Sequence, residues 1–258
     1  MLASARTSAS EIGPAYRAKV GWAACEPCRV LQAATPLNEI LANDMRRAPE
    51  RFRTAIGFTV KSGWACAVLL TGSATSSRVL DSRRLDLSDP AIPESRQPYH
   101  AGFGTARSTG PELSRLVASV ERYGRQSVIR LIRHYQTAGH QLRGAGIVVG
   151  SLIDPERIGN AHIRIHALEG RLFRALVEDA AVRSGLVCSI WRERDLYALA
   201  AGILKRPKEE LRRRLAALGQ PVDGSWRAEQ KSAALAAWLM LVGRLSATPG
   251  IRERTRDD

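Results

Sequence analysis

Three consecutive apolar segments that begin near residue 53 constrain the fold more than any other feature of this sequence. Residues 55–60 alternate, with Ile56, Phe58 and Val60 on one side, and residues 64–71 are apolar almost throughout. Residues 78–87 alternate again, and short turns containing glycine and serine separate the three segments. The pattern predicts three sequential β-strands.

Helical and strand-like segments alternate along the rest of the chain. Helices are predicted at 109–137 and 161–184, and short buried strands at 144–150 and 186–191. Thr109 and Glu112 have the spacing of a capping box for the first helix. Further helices are predicted at 196–205 and 207–218, before a last helix that Ser225 would cap. We therefore expect an α/β fold with one five-stranded mixed sheet and the order β-β-β-α-β-α-β-(αα)-α.

The two ends of the chain differ from this central region. Residues 1–44 have no sustained periodicity, so we expect either a disordered extension or an alternative start at Met45. A small helix at 37–45 is the remaining possibility for this segment. Residues 246–258 are predicted to form a charged tail. The α/β domain is accordingly expected to span residues 53–245.

The chain is strongly basic. It has 39 Lys plus Arg against 25 Asp plus Glu, a net charge of +14, and residues 1–44 contribute none of this excess. A polyanionic partner such as nucleic acid is one explanation. The other is codon drift in a GC-rich genome, because only 5 of the 39 basic residues are lysine.

The cysteines and the hydropathy pattern suggest a cytoplasmic protein. Cys25 and Cys28 have metal-knuckle spacing, but a structural zinc site normally needs a second such pair. Cys66 and Cys188 are single cysteines within apolar runs, so neither a zinc site nor a disulfide framework is expected. No apolar run is long enough for a membrane span or typical of a secretory signal, and we expect no membrane partner.

The element order resembles that of the ribonuclease H-like superfamily. The segment AIGFTVKSGWACAVLL at 55–70 is similar to the first hairpin of the Holliday-junction-resolvase branch, and AEQKSAALAAWLML at 228–241 to its last helix. The resemblance implies a ribonuclease H-like fold over residues 53–245, and it covers only these two stretches in sequence.

The metal-binding acids of that family are not retained. Its nucleases carry an acid midway along the first strand, whereas this chain has Phe58-Thr59-Val60 there. After the fourth strand the nearest acid is Asp154, and the last helix offers only Glu229, displaced by about one position. The resemblance therefore does not imply a standard two-metal nuclease.

The topology predicts a ligand site at one edge of the sheet. If the second strand is antiparallel to the other four, the carboxyl ends of those four meet at one edge, where ligands bind in open α/β sheets. The segments that arrive there contain seven polar side chains that we select as candidates: Lys61, Ser62, Glu94, Arg96, Tyr99, His100 and Lys231. The long loop at 93–104 is either functional or a cover for the sheet end.

Three further candidates lie on the second long helix. At 100° per residue, His162, His166 and Glu169 fall inside its apolar arc, at the N-terminal end. Imidazoles and a carboxylate at this spacing bind a metal or transfer protons. The alternative is a partly exposed first turn in which the histidines contact water.

The cationic candidates have two interpretations as well. Lys61 and Lys231 persist in a chain that otherwise uses arginine, and Lys61 lies near the metal position of the related nucleases, where it would suit a phosphate or carboxylate directly. Arg212 and Arg213, on the basic helix 205–214, are placed to contact phosphates. Without a ligand, codon drift explains the two lysines, and a solvated helix face explains the two arginines.

Three functions are compatible with the sequence. The first is binding of an anionic ligand, a phosphate or nucleic acid, at the sheet edge. The second is an enzyme in which His100, His166 and Glu169 perform acid–base chemistry on a small or phosphorylated substrate near Lys61. The third is a structural or partner-binding domain. The sequence identifies neither a cofactor nor an oligomeric state.

Overall fold

The computed structural model describes residues 53–101, 106–107, 109–219 and 224–243. The expectations for residues 1–44 and 246–258, and for Cys25 and Cys28, lie outside this part of the chain.

The elements follow the predicted order. The strands are β1 (Arg53–Lys61), β2 (Trp64–Gly72), β3 (Ser77–Asp86), β4 (Gln141–Val149) and β5 (Cys188–Arg192). The helices are α1 (Pro111–Thr137), α2 (Ala161–Arg183), α3 (Glu193–Leu204), α4 (Lys208–Leu218) and α5 (Ala228–Val242). Short 3₁₀ helices occupy Pro93–Arg96 and Pro155–Arg157. Among the described residues, every helix is too short or too polar to cross a lipid bilayer.

The five strands form one mixed sheet in the order β3-β2-β1-β4-β5. β2 is antiparallel to both β1 and β3, whereas β4 pairs in parallel with β1 and with β5. A two-residue turn joins β1 to β2, and Gly63 supplies the positive φ of 79° that this turn requires. This topology confirms the predicted α/β architecture with one five-stranded mixed sheet.

Both faces of the sheet are covered by helices. Ile56, Phe58 and Val60 of β1 point to the face covered by α1 and α2, which we call face one. Ala55 points to the opposite face, face two, which is covered by α3, α4 and α5. Successive side chains of β1 therefore enter two separate apolar cores, which explains the alternation predicted from the sequence.

α5 lies unusually close to the sheet. A Cβ on Gly57 of β1 would overlap the carbonyl oxygen of Ala233, and one on Gly146 of β4 would lie 2.7 Å from that of Ala236. Each of these glycines faces a small residue on the helix, so backbone packs almost directly on backbone. α5 is consequently buried along nearly its whole length, from Ser232 to Leu241.

Two predicted helix caps are wrong. Gly110, not Thr109, is the N-cap of α1, and glycine has no side chain to cap the first turn; Glu112 forms an ion pair with Arg107 at 3.3 Å. The N-cap of α5 is Arg227 rather than Ser225, and its backbone N–H donates to Gln230 Oε1 at 2.9 Å. Both helices nevertheless begin close to where the apolar pattern predicts.

Candidate functional site

The carboxyl ends of the parallel strands define one edge of the sheet. β1, β4 and β5 end at Lys61, Val149 and Arg192, and the turn residue Ser62 follows β1 directly. The segment after β3 and the first turns of α2 reach the same edge, because His100 and Ser62 both contact Glu169 of α2. The structure thus brings together segments that the topology predicted to meet.

A fully buried carboxylate lies at the centre of this edge. Glu169 is 0% exposed, its Oε1 lies 2.8 Å from His100 Nδ1, and its Oε2 accepts a hydrogen bond from Ser62 Oγ at 3.3 Å. A buried carboxylate is costly without such partners. An ionised carboxylate can only accept hydrogen bonds, so His100 donates through Nδ1, and in the neutral imidazole Nε2 then carries the lone pair.

Backbone contacts hold His100 in place. Its N–H donates to the carbonyl of Gln97 at 3.0 Å, and His100 forms an isolated bridge with Ala106. The Arg107 guanidinium donates to the carbonyl oxygen of His100 and, at 3.4 Å, to that of Pro98. The segment after β3 is therefore anchored on both sides of the imidazole.

Three imidazoles cluster next to Glu169. The ring centroid of His166 lies 5.0 Å from that of His100 and 4.6 Å from that of His162. The Nε2 atoms of His162 and His166 are 3.2 Å apart. Glu169 is buried, as the helical wheel predicted, whereas His162 and His166 are exposed, which agrees with the alternative of a partly exposed first turn.

A cavity of about 300 Å³ opens beside this cluster, and we call it the first cavity. Its walls are apolar at Val60, Val149 and Phe173. Its polar lining comes from the ends of β1 and β4 and from α2: Lys61, Ser62, Ser151, His166, Arg171 and Arg174. An apolar hollow with a few polar groups is the usual form of a ligand site.

A second cavity of about 390 Å³ lies along the same edge, on the side of α3 and α5. It is lined by Glu193, Tyr197, Arg212, Ala228, Lys231 and Ser232. Lys61 of the first cavity and Glu193 of the second form an ion pair at 3.1 Å. The predicted cations are thus divided between two neighbouring sites, with Lys61 in one and Lys231 and Arg212 in the other.

Four predicted residues lie outside both cavities and outside the cluster of Glu169 and the three histidines. Glu94 and Arg96 are exposed on the 3₁₀ helix after β3, and the Arg96 side chain packs across Gly63. Tyr99 is half-buried, and burial raises the pKa of its hydroxyl. Arg213 is exposed on α4.

The described carboxylates at this edge do not form a two-metal Mg²⁺ site. Thr59 of β1 lies where the resemblance stated above would require an acid, and its hydroxyl donates to the backbone carbonyl of Glu229 at 2.9 Å. Asp154 caps the second 3₁₀ helix and faces Arg171 at 3.8 Å. Among the described residues no trio of carboxylates gathers, so the oxygen ligands that two Mg²⁺ ions require are not assembled.

Neither described cysteine is suited to nucleophilic chemistry. Burial raises the pKa of the Cys66 thiol to about 12, and the negative charge of Glu229 adds to the effect. Burial raises the pKa of Cys188 to about 12 as well. Both thiols therefore stay protonated at neutral pH and pack as small apolar groups.

Sequence reasoning missed three charged residues of the site. Arg171 and Arg174 line the first cavity, and neither was among the candidates selected from the sequence. Glu193, which directly follows β5, lines the second cavity and was not among those candidates either. A sequence rule would have identified these three residues. It selects a charged residue that directly follows a parallel strand, or that lies about one helical turn from a buried polar residue.

The sequence matches no protein-family model and no curated protein. By structure the chain is similar to the Thermus thermophilus RuvC structure, at 10% identity and a TM-score of 0.44, over 72% of this chain and 91% of that one. It is also similar to the yeast mitochondrial Holliday junction resolvase Ydc2, at 10% identity and a TM-score of 0.39, over 79% of this chain and 85% of that one. At these values the similarity gives no information about the activity, substrate or partner of the present chain.

Proposed function

We propose that this chain binds nucleic acid, and that it does so through phosphate groups at the carboxyl edge of the sheet. The cationic lining of the first cavity by Lys61, Arg171 and Arg174 carries the proposal. Both oxygens of the nearby Glu169 are engaged by Ser62 and His100. The excess of 14 positive charges in the chain supports the same class of partner.

The ion pairs at this edge are weak enough for a phosphate to replace them. The side chains of Lys61 and Glu193 are 33% and 38% exposed, and Arg171 is 3.8 Å from Asp154. Exposed pairs of this kind contribute only about 0–1 kcal/mol. A phosphate that contacts these cations therefore loses little by competing with Glu193 or Asp154.

The proposed binding is to the nucleic-acid backbone rather than to particular bases. Aromatic residues make up only 5% of the chain, so a platform for base stacking is not supported. Arginine and lysine contacts to phosphates give affinity that is independent of sequence and falls steeply with salt. Lys231 and Arg212 in the second cavity would extend the phosphate-binding edge.

Fluorescence anisotropy with labelled 20-mers of single-stranded DNA, duplex DNA and RNA tests the proposal. The wild-type chain is titrated against mixed sequences at several salt concentrations. We expect the double variant Arg171→Ala/Arg174→Ala to bind at least tenfold more weakly at low salt. We also expect the slope of log affinity against log salt to fall by about 0.7–0.9 for each phosphate contact removed.

A matched control removes two arginines at the other end of the molecule. Arg130 and Arg133 are exposed near the end of α1, which leads away from this edge to the start of β4. The Arg130→Ala/Arg133→Ala variant changes net charge equally and should retain wild-type affinity. Equal losses in both double variants, or binding that does not depend on salt, would contradict the proposed site.

Acid–base catalysis is the second candidate, and the contact between His100 and Glu169 favours it. At 2.8 Å the carboxylate fixes the imidazole tautomer, as an orienting acid does for a general base. A phosphodiester such as bis(p-nitrophenyl) phosphate would then be turned over by the wild-type chain and not by His100→Asn. Equal turnover by both proteins, or none by either, would remove this candidate.

A further inference from the structure

Three histidines at the sheet edge are close enough to share one ion. Each of His100, His162 and His166 offers a ring nitrogen, and these nitrogens all lie within 4.8 Å of one another. Two of them come from successive turns of α2, and the third comes from the anchored segment after β3. Among the described residues no other group of three such side chains is gathered in this way.

The spacing of the α2 pair agrees with metal ligation. The Nε2 atoms of His162 and His166 are 3.2 Å apart. Two nitrogens bound to a tetrahedral Zn²⁺ at about 2.0–2.1 Å are themselves separated by about 3.3 Å. The i, i+4 spacing on a helix places both imidazoles on one side without distorting the backbone. A direct hydrogen bond between the two rings is the competing explanation.

Glu169 supplies an independent observation. Histidines that bind a metal commonly donate their other ring N–H to a carboxylate, which fixes the tautomer and the ring orientation. Glu169 is fully buried, and its Oε1 lies 2.8 Å from Nδ1 of His100. In the neutral imidazole, this hydrogen bond leaves Nε2 of His100 with the lone pair that a metal ligand needs. A buried carboxylate held by a histidine in this way serves as a positioning residue.

We propose that His100, His162 and His166 bind one transition-metal ion, with Zn²⁺ as the best-suited ion and with one coordination position open. Imidazole ligands favour zinc, cobalt, nickel or copper over Mg²⁺. His162 and His166 are exposed, and His166 also lines the first cavity, so a water or an anionic oxygen can occupy the fourth position. The proposal does not depend on nucleic-acid binding.

Titration calorimetry on the 258-residue chain tests the site. The protein is made without a polyhistidine tag, carries Cys25→Ser and Cys28→Ser, is stripped with a chelator, and is titrated with ZnCl₂. We expect one Zn²⁺ per chain, and we expect Co²⁺ to give the intense visible absorption of tetrahedral coordination. His162→Ala and His166→Ala alter exposed side chains, so folding should be kept while binding falls at least a hundredfold.

Two further variants separate ligands from neighbouring residues. Glu169→Gln should keep a stoichiometry of one while weakening Zn²⁺ binding by about 10–100-fold. The remaining histidines of the chain, His134 and His140, belong to the end of α1 and the start of β4, so the His134→Ala/His140→Ala variant should bind as the parent does.

Several results would overturn the metal site. The first such result is that the folded parent does not bind Zn²⁺ stoichiometrically. The hydrogen bond between His162 and His166 would then explain their spacing. Binding that survives both α2 histidine variants is another. Since the nucleic-acid proposal is measured separately by anisotropy, either proposal can fail alone.

Discussion

Gly57 lies in β1 at the point where α5 packs against the sheet, and no larger residue fits there. A Cβ at this position would overlap the carbonyl oxygen of Ala233, which belongs to a helix backbone and cannot rotate away. We expect Gly57→Ala to lower the free energy of unfolding by about 3 kcal/mol or more, at the upper end of overpacking costs. Urea denaturation followed by circular dichroism measures this change.

Gly202→Ala is the matched control for this substitution. Gly202 is exposed on α3, and a Cβ there would meet no atom within 4 Å. Alanine favours helix over glycine by about 0.8–1.0 kcal/mol, so this variant should be as stable as the parent or more stable. Similar stability of the two alanine variants would show that α5 does not pack against Gly57 as described.

The position of Glu169 was predictable from the sequence, but its partners were not. Its place in the apolar arc of α2 follows from helical periodicity alone. Ser62 and His100 are 107 and 69 residues away along the chain, and only the packed fold brings them to the carboxylate. Sequence periodicity reports which face a residue occupies and carries no information about what lies opposite.

Asp179 joins the two long helices that cover face one. It accepts hydrogen bonds from Arg183 on its own helix, α2, and from Arg125 on α1, each at 2.8 Å. The bond from Arg183, aided by that from Arg125, lowers the pKa of the Asp179 carboxyl. A carboxyl whose pKa is lower in the folded state stabilises the fold above its unfolded-state pKa and loses that contribution as the pH falls.

We therefore expect Asp179→Asn to be less stable than the parent at pH 7. The side chain is 36% exposed, so solvent screening limits the difference to about 1 kcal/mol or less. The difference should disappear as the pH falls below about 3.9 and through the lowered pKa of the folded state. Denaturation at pH 7 and pH 2.5 tests this, with Glu121→Gln on the exposed side of α1 as the control. A pH-independent difference would contradict the assignment.

Strand and helix positions followed from periodicity, whereas helix caps did not. The apolar patterns of α1 and α5 are long, so an error at one residue changes little. A cap depends on a single side chain that has other partners available. Glu112 pairs with Arg107, a residue whose place is set by the anchored segment after β3, and Gln230 caps Arg227 in place of Ser225.

The two apolar cores share the central strands of one sheet, so we expect them to unfold together. Ile132 is fully buried in face one, and Ile132→Ala should cost about 2–5 kcal/mol. The described tryptophans pack in face two: Trp64, Trp191, Trp226 and Trp238. With Trp22→Phe as background, the transitions in tryptophan emission and in circular dichroism should shift equally. A shift in circular dichroism alone would mean that the faces unfold independently.

At the scale of the molecule, the fold was more predictable than the site. The three strands at the start and the two later crossovers permit few sheet topologies, and the handedness of parallel connections restricts them further. The predicted cations are divided between two cavities, and this division depends on where α3 and α5 pack on face two. That packing reflects glycines at 57 and 146 and the small residues opposite them.

The ion pair between Lys61 and Glu193 spans the boundary between the two cavities. An anion that takes up the Lys61 ammonium in the first cavity leaves Glu193 as an uncompensated negative charge in the second. Occupants of the two cavities are consequently linked through this pair, and thermodynamic reciprocity requires each to change the affinity for the other by the same factor. Because the pair is partly exposed and contributes only about 0–1 kcal/mol, an anion in the first cavity weakens anion binding in the second only slightly, and phosphates of one nucleic acid can still occupy both.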